Sequence, residues 1–373
     1  MVEWKKLGEV CKTITPPKKL TKENYLEKGL YPVIDQGQSD IVGYTDDESA
    51  LLENSEYVLF GDHTRYVKFF KGNFAQGADG LKILKSKNNI KTRYFFYAFQ
   101  NIEVPSRGYS RHWSIAKDLL IPIPSLQEQE RIVGILDTFT AIIDNLKAQI
   151  EQRRKQYEGY LDKFYYSKQE MMDLANKGDI QIKTLDEIGT FTRGRRFVRT
   201  DIVSEGVPCI HYGDMYTYYG VKADTTPSFL TEETAKKLRF AQKGDVVIVG
   251  AGENDIDIGV GVAWMGKEDV VVHDACYIFK HSMNPIYLSY FMRSNNYHQQ
   301  IRMGVVDGRI CSISAKELGR TLIPLPSLQE QERIVGILDT FEASIANLEA
   351  QLEQRQKQYE YYRERLLTFD KLE

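Results

Sequence analysis

Two stretches of the chain carry apolar residues in a seven-residue rhythm. The first stretch runs from Ile132 to Phe164 and the second from Ile334 to Leu366, and in each the apolar side chains fall on two rows. Heptads that are sustained over this length are typical of long helices that pack against another helix. The pattern therefore predicts two long α-helices, one in the middle of the chain and one near its C-terminus.

Both helices are introduced by the same motif. Residues 121–139 read Ile-Pro-Ile-Pro-Ser-Leu-Gln-Glu-Gln-Glu-Arg-Ile-Val-Gly-Ile-Leu-Asp-Thr-Phe, and residues 323–341 differ from them only by Leu325 in place of Ile123. Over residues 121–160, 32 of 40 positions are identical to those 202 residues later. Each copy has prolines, which interrupt a helix, and then the Ser-x-x-Glu pattern of a capping box, so a helix is predicted to begin there.

The two helices are expected to pair with each other. Because each follows a globular segment of comparable size, an antiparallel pair within one chain is favoured, and a seam between two copies of the chain is the alternative. The residues assigned to the seam are Ile132, Leu136, Phe139, Ile143, Leu146, Ile150, Ile334, Leu338, Phe341, Ile345, Leu348 and Leu352.

The segments that precede the helices are related at their ends but not inside. Residues 4–10 align with 182–188, and residues 116–119 align with 315–318, while the residues between these marks differ in sequence and in number. We call these segments the first and second modules. The predicted boundaries are 1–121 for the first module, 122–178 for the first long helix, 179–323 for the second module and 324–373 for the second long helix.

The interior of each module is predicted to mix strands and helices. Runs rich in β-branched and aromatic residues at 57–60 and 245–249 indicate strands, and helical spacing at 93–99 and 285–292 indicates a core helix late in each module. The predicted fold class is therefore α+β. It consists of two mixed α/β modules and two long helices that form an antiparallel intramolecular coiled coil with pseudo-twofold symmetry.

Composition limits the classes of function. The net charge is −3, but residues 1–120 carry 18 basic and 15 acidic side chains, whereas residues 323–373 carry 6 and 10. The acidic excess thus lies in the helices, which permits nucleic-acid binding by the modules. The 4 cysteines are scattered, which argues against a zinc site or a disulfide framework, and no run of eighteen apolar residues occurs. We expect a protein of the cytoplasm without a membrane partner.

The alternation of module and long helix resembles the specificity subunits of type I restriction-modification systems. The resemblance covers the whole chain and rests on the motif that opens each helix at Pro122 and at Pro324. It implies that each module is a target-recognition domain for one half of a split site in double-stranded DNA, and that the helices set the gap. It also implies two methyltransferase subunits as partners and, through the complex, restriction motor-nuclease subunits. S-adenosylmethionine, Mg²⁺ and ATP would bind those partners, so no cofactor is expected on this chain.

Candidate DNA contacts lie in loop-like segments that are rich in arginine. Arginine pairs with guanine or phosphate, and lysine or tyrosine can hold phosphate; an ordinary solvated loop is the alternative for each segment. The segments are 61–68, 105–113, 192–199 and 304–309. The DNA-binding candidates within them are Arg65, Lys68, Arg107, Tyr109, Arg111, Arg193, Arg195, Arg196, Arg199 and Arg309.

The sequence does not favour catalysis by this chain. Asp62 beside His63 lacks a third catalytic group, and the glycines between 250 and 261 lack the spacing of a nucleotide-binding loop, so that stretch is interpreted as a turn. Asp255 and Asp257 would share a strand face, but no further ligand accompanies them. Two other hypotheses remain. A self-contained methyltransferase or nuclease would need an S-adenosylmethionine loop or an Asn-Pro-Pro-Tyr type catalytic motif, and the sequence has neither. A coiled-coil scaffold would leave the arginine-rich modules unexplained.

Overall fold

The computed structural model of the protein describes residues 2–77, 79–87, 89–108, 110–177 and 180–369. The chain folds into two units, the first made of residues 1–148 and 349–373 and the second of residues 149–348. The strands of the first unit are β1 Glu3–Lys6, β2 Cys11–Ile14, β3 Tyr31–Ile34, β4 Gly43–Thr45, β5 Ser55–Gly61, β6 Val67–Gly72, β7 Ala75–Gln76, β8 Leu81–Ser86 and β9 Leu120–Ile123. Its helices are α1 Leu7–Val10, α2 Thr92–Gln100, α3 Trp113–Ala116 and the first part of α4 Leu126–Phe164.

The second unit begins within α4. Its strands are β10 Gln181–Thr184, β11 Gly189–Arg193, β12 Ile202–Val203, β13 Val207–Ile210, β14 Lys222–Ala223, β15 Ser228–Leu230, β16 Phe240–Ala241, β17 Val246–Val249, β18 Ala251–Gly252, β19 Gly261–Trp264, β20 Val270–Val272, β21 Cys276–His281, β22 Cys311–Ser312 and β23 Leu322–Leu325. Its helices are α5 Lys168–Lys177, α6 Leu185–Ile188, α7 Asp214–Thr217, α8 Glu232–Ala235, α9 Pro285–Phe291, α10 Asn295–Ile301, α11 Ala315–Gly319 and the first part of α12 Leu328–Leu367. Short 3-10 helices occupy Lys22–Asn24, Glu48–Ala50, Arg199–Asp201 and Arg302–Gly304.

The core of the first module is a sheet covered by an aromatic helix. The strand order is β2-β8-β5-β6, and a second sheet has the order β4-β3-β7. Helix α2 places Tyr94, Phe95, Tyr97 and Phe99 in the buried core, and Phe99 stacks on Phe60 of β5 with ring centroids 5.1 Å apart. The predictions of a strand at 57–60 and of a core helix at 93–99 are confirmed, and these aromatic side chains serve packing.

The second module is built on two five-stranded sheets. Their orders are β11-β21-β17-β19-β14 and β12-β15-β13-β20-β16. All four residues of β17 are buried, which explains why this strand has a continuous apolar run instead of an alternating pattern. Helix α9 begins at Pro285 after Asn284, whose side-chain oxygen accepts the N–H groups of Ile286 and Tyr287. The predicted strand at 245–249 and helix at 285–292 are confirmed.

The ends of the two modules are built alike, as their alignment predicts. Strand β1 pairs antiparallel with β9, with Trp4 opposite Pro122, and β10 pairs antiparallel with β23, with Ile182 opposite Pro324. A one-turn helix follows the first strand of each pair. The first residues of each proline-containing motif therefore lie in the second strand of the pair, which anchors the start of the motif to the N-terminal strand of its own module.

The long helices begin at the predicted serine caps, while the carboxylates of Glu128 and Glu330 bond to Arg131 and Arg333. Ser125 Oγ accepts the N–H of Glu128 at 3.3 Å, and Ser327 Oγ accepts that of Glu330 at 3.3 Å. All residues assigned to the seam are buried or partly buried. The four cysteines are also buried, as expected for small apolar side chains.

In each unit the start of one long helix packs against the end of the other. In the first unit Phe139 stacks on Tyr362 with ring centroids 5.3 Å apart, and Leu136 shares an apolar cluster with Leu367. The chain directions within this unit are therefore antiparallel, as predicted.

The second unit repeats the arrangement with the residues 202 positions away. Tyr160 contacts Phe341 at 5.1 Å between ring centroids, and the Tyr157 hydroxyl donates to Glu342 at 3.2 Å. Phe164, which follows Tyr160 in the chain, lies against Arg333, which precedes Phe341. The two helices therefore run antiparallel here as well. These contacts within one chain support the intramolecular pair over a seam between two copies.

The segment 122–178, predicted as one helix, contains two. Helix α4 ends at Phe164, Tyr166 adopts a positive φ of 30°, and α5 begins at Lys168. Ser167 and Glu170 form a second capping box, in which Glu170 N–H donates to Ser167 Oγ at 3.3 Å and Ser167 N–H donates to the Glu170 carboxylate at 2.7 Å. The buried Tyr165 hydroxyl donates to the Tyr287 carbonyl at 2.8 Å, which fixes the break against α9.

The second glutamine of each Ser-Leu-Gln-Glu-Gln-Glu motif joins the long helix to the core helix of its module. Gln129 is fully buried; its Oε1 accepts the N–H of Lys91, the residue that precedes α2, at 3.0 Å. Gln331 accepts the N–H of Asn284, the residue that precedes α9, at 2.9 Å. Both amides donate in turn to a carbonyl at the start of their own long helix.

Two further contacts of the same kind occur in both copies. A buried tyrosine of the core helix donates to the carbonyl of the first proline, Tyr94 to Pro122 at 2.8 Å and Tyr287 to Pro324 at 3.2 Å. A second tyrosine donates to the motif's aspartate. Those pairs are Tyr97 with Asp137 at 2.5 Å and Tyr290 with Asp339 at 2.7 Å. The identical motif is therefore a docking surface for the core helix of each module.

We expect Gln129→Ala to lower the free energy of unfolding of the full chain by about 1–3 kcal/mol, because it leaves buried backbone groups without partners. Gln127→Ala is the matched control, since Gln127 lies in the same motif but is exposed, and it should change stability by less than about 0.5 kcal/mol. Chemical denaturation measures both. Equal effects of the two substitutions would contradict this role of Gln129.

Candidate nucleic-acid interface

Two loops of the first module that carry candidate residues are held together by Asp62 and His112. The His112 ring and its backbone N–H both bond to the Asp62 carbonyl, at 2.9 and 2.8 Å, and the Asp62 carboxylate accepts the N–H of Trp113 at 2.7 Å. Lys82 lies 3.5 Å from the same carboxylate. Asp62 and His112 are each 1% exposed, so this pair is structural and places the segments 61–68 and 105–113 side by side.

The side chains of these loops differ in whether they are free to bind a ligand or are already bonded within the chain. Arg65 has a positive φ and donates to the Val104 carbonyl at 2.9 Å, and Lys68 donates to the carbonyls of Asp35 and Ser39. The guanidinium groups of Arg107 and Arg111 are exposed and form no hydrogen bond with the part of the chain that the structure describes. Tyr109 lies outside the described residues.

A wide cleft in the second module collects most of the candidates there. Its volume is about 1420 Å³, and Arg193, Arg196, Arg199 and Arg309 all line it. Arg195 does not, and its guanidinium donates to the Lys237 carbonyl at 2.8 Å. The cleft thus joins two candidate segments that are more than a hundred residues apart in sequence.

Gly194 allows the arginine run to lie against the sheet. A Cβ atom at this position would come within 2.2 Å of the His273 carbonyl oxygen and 2.4 Å of that of Val272. The Gly194 N–H donates to the Cys276 carbonyl at 2.9 Å, and the Arg195 N–H donates to the Val272 carbonyl at 3.1 Å. The backbone is therefore fixed at this point, and the neighbouring side chains of Arg195 and Arg196 lie in different places, with Arg196 in the cleft and Arg195 outside it.

Three guanidinium groups of the cleft are available for a ligand. Arg196, Arg199 and Arg309 are exposed and form no hydrogen bond or ion pair with any described residue. Arg193 is partly used, because its Nε donates to the Asp274 carbonyl at 2.7 Å. Unpaired arginines around one cleft favour an anionic ligand with spaced charges, as the phosphates of nucleic acid are.

Aromatic and histidine rings line the cleft between the arginines. The His211 and His273 ring centroids are 4.9 Å apart, and Tyr212 lies 4.6 Å from His211. Burial lowers the pKa of both histidines. The sequence gives no local motif for these residues, because they lie on separate segments that only the fold brings together.

Other chemistry suggested by the sequence finds no support among the described residues. No group of three or more His, Cys, Asp or Glu side chains there could hold a metal ion. Asp255 and Asp257 lie in a turn, so the expectation that they share a strand face was wrong: the Asp257 N–H donates to the Asn254 side chain, which closes the turn. No described helix is both long and apolar enough to cross a membrane.

Comparisons with known proteins agree with one another. The family model described as type I restriction modification DNA specificity domain matches residues 1–153 and again 177–355. The chain is 30% identical over 397 residues to the Escherichia coli type I restriction enzyme EcoR124I/EcoR124II specificity subunit, covering 100% of this chain and 95% of that one. It is 29% identical to a putative type I restriction enzyme specificity subunit of Haemophilus influenzae, over 99% of this chain and 96% of that one.

A solved structure shares the fold. The crystal structure of the type I restriction-modification S subunit from M. genitalium superposes with a TM-score of 0.62 at 17% identity, and the match covers 100% of this chain and 97% of that chain.

We expect Arg196→Ala, Arg199→Ala and Arg309→Ala each to weaken binding of the full-length protein to duplex DNA. The slope of log affinity against log salt should fall by about 0.9 for each phosphate contact that is lost. Arg320→Ala is the matched control, because Arg320 is exposed in the same module but pairs with Glu317 at 2.8 Å and does not line the cleft. A salt series of equilibrium titrations measures the slopes, and equal losses in all four variants would refute the assignment.

Proposed function

The chain belongs to the family of type I restriction-modification DNA specificity subunits, and from this premise we propose how its parts divide the work. Each module reads one half of a split site in double-stranded DNA. The cleft with three unpaired guanidinium groups carries this proposal for the second module. In the first module the corresponding surface is formed by the joined loops that present Arg107 and Arg111.

We propose that the long helices set the gap between the half-sites and dock the partner subunits. The motif that opens each helix is nearly identical in the two copies, and exposed residues such as Gln127, Glu130 and Arg131 are identical to those 202 positions later. The fold of each module does not require identity at exposed positions. Identity there supports binding of two copies of one methyltransferase subunit, with motor-nuclease subunits joining through the complex.

In this proposal the chain selects the site and the partners perform the chemistry. S-adenosylmethionine would bind the methyltransferase subunits, and Mg²⁺ and ATP would serve the motor-nuclease subunits, in the cytoplasm where chromosomal DNA is accessible. A protein-binding scaffold would not account for the unpaired arginines of the cleft, and the family match does not favour it.

Deleting the gene should remove one split methylation motif from the genome of the source cell. We expect a map of N6-methyladenine to show a bipartite motif in the parent strain that is absent from the deletion strain and returns on complementation. An unchanged map, in cells that express the partner methyltransferase, would refute the proposed function.

Lengthening both long helices should lengthen the gap and leave the half-sequences unchanged. Four residues are inserted after Gln149 and after Gln351, which are 202 positions apart. Each insertion lengthens its helix by about 6 Å, which corresponds to one to two base pairs. Four-residue insertions occur in paired helices as stutters, which unwind the coiled coil only locally. The motif of the variant, determined by methylation mapping, should keep both half-sites. Altered half-sequences, or an unchanged gap, would contradict the spacer role.

A further inference from the structure

A carboxylate without a partner lies in the same cleft as the unpaired arginines. Glu253 is exposed, lines the cleft, and forms no hydrogen bond or ion pair with any residue that the structure describes. Asp214, another acidic residue of the cleft, is engaged: its Oδ2 accepts the N–H of His211 at 3.3 Å and the Ser228 hydroxyl at 2.8 Å. The third acidic residue of the cleft, Asp274, is partly buried, and its carboxylate lies 3.3 Å from His273 Nδ1. Glu253 is therefore the exposed carboxylate of the cleft that has no partner among the described residues.

An unpaired carboxylate is unfavourable on a surface that only holds phosphate. It repels the backbone of the nucleic acid and offsets part of the attraction of the arginines. It becomes favourable where a base presents an amino group, because a carboxylate accepts a hydrogen bond from N4 of cytosine in the major groove. The amino group at N6 of adenine offers the same donor chemistry.

His211 supplies the complementary donor. Its Nδ1 accepts the N–H of Gly213 at 3.2 Å, and burial lowers its pKa, so the neutral ring carries its hydrogen on Nε2. No described residue accepts a hydrogen bond from that Nε2. His273 differs, because its Nδ1 accepts the N–H of Ala275 at 3.1 Å and its ring also bonds the Phe197 backbone.

We propose that Glu253 and His211 read base edges in the half-site of the second module, while Arg196, Arg199 and Arg309 hold the phosphates. Glu253 accepts from the amino group of cytosine or adenine, and His211 donates to a purine N7 or O6. This inference rests on the proposed function and adds to it the residues that determine specificity.

The test compares Glu253→Gln with Glu268→Gln in cells that contain the complete system. Glu268 is an exposed glutamate of the same module that does not line the cleft, so both substitutions remove one negative charge. Glu253→Gln should relax or change the base at one position of one half-site, with a roughly tenfold loss of preference there. The other half-site and the gap should stay unchanged, and Glu268→Gln should keep the parental motif. Arg196→Ala should lower methylation at all sites without changing the motif.

A second variant tests whether the effect of Glu253→Gln could come from altered folding instead of lost base recognition. His211→Gln replaces the imidazole N–H donor by an amide donor at a different position, and it should change base preference in the same half-site as Glu253→Gln. Unchanged motifs in both variants would overturn this inference while leaving the proposed function intact, as would a uniform loss of methylation with the motif preserved. A parental strain in which no motif depends on this chain would refute the proposed function itself.

Discussion

The structure depends on the need to satisfy buried polar groups where each module meets its long helix. The carbonyl oxygens of Pro122 and Pro324 are buried, and the N–H group that precedes each core helix is partly buried. A tyrosine hydroxyl and a glutamine amide satisfy these groups in both copies. Because a buried unpaired group costs about 1–3 kcal/mol, few substitutions are tolerated at the residues that supply the bonds.

This constraint divides the residues of each module into those that the docking surface requires and those that can vary. The docking surface needs the prolines, the second glutamine and the aspartate of the motif, together with two tyrosines of the core helix. The loops that face solvent do not have to satisfy these buried polar groups, so their sequences can differ between the two modules. A chain built in this way can hold two modules in the same local geometry and still present different surfaces to a ligand, as the cleft of the second module and the joined loops of the first module do.

The sequence predicts what depends on local pattern and fails where distant segments meet. The long helices follow from heptads and capping boxes, and the strands and core helices follow from short apolar runs. The interruption between α4 and α5 at residues 165–167 is not predicted, because Phe164 continues the heptad row and the capping box at Ser167 follows it without a break in the apolar pattern. The cleft could be predicted only in part, because its residues come from six separate segments of the chain. Neighbouring arginines such as Arg195 and Arg196 have different environments that only the fold determines.

The acidic net charge does not oppose DNA binding once pairing is considered. Carboxylates of the long helices form ion pairs within their own helix, among them Glu128 with Arg131 and Glu330 with Arg333. Exposed charges are also screened beyond about 10 Å at 0.1 M salt. The electrostatic potential at the DNA-binding surface is therefore determined locally, by guanidinium groups that form no ion pair with the described residues. For the same reason a single unpaired carboxylate among them, Glu253, has an effect on selectivity that the net charge of −3 does not reveal.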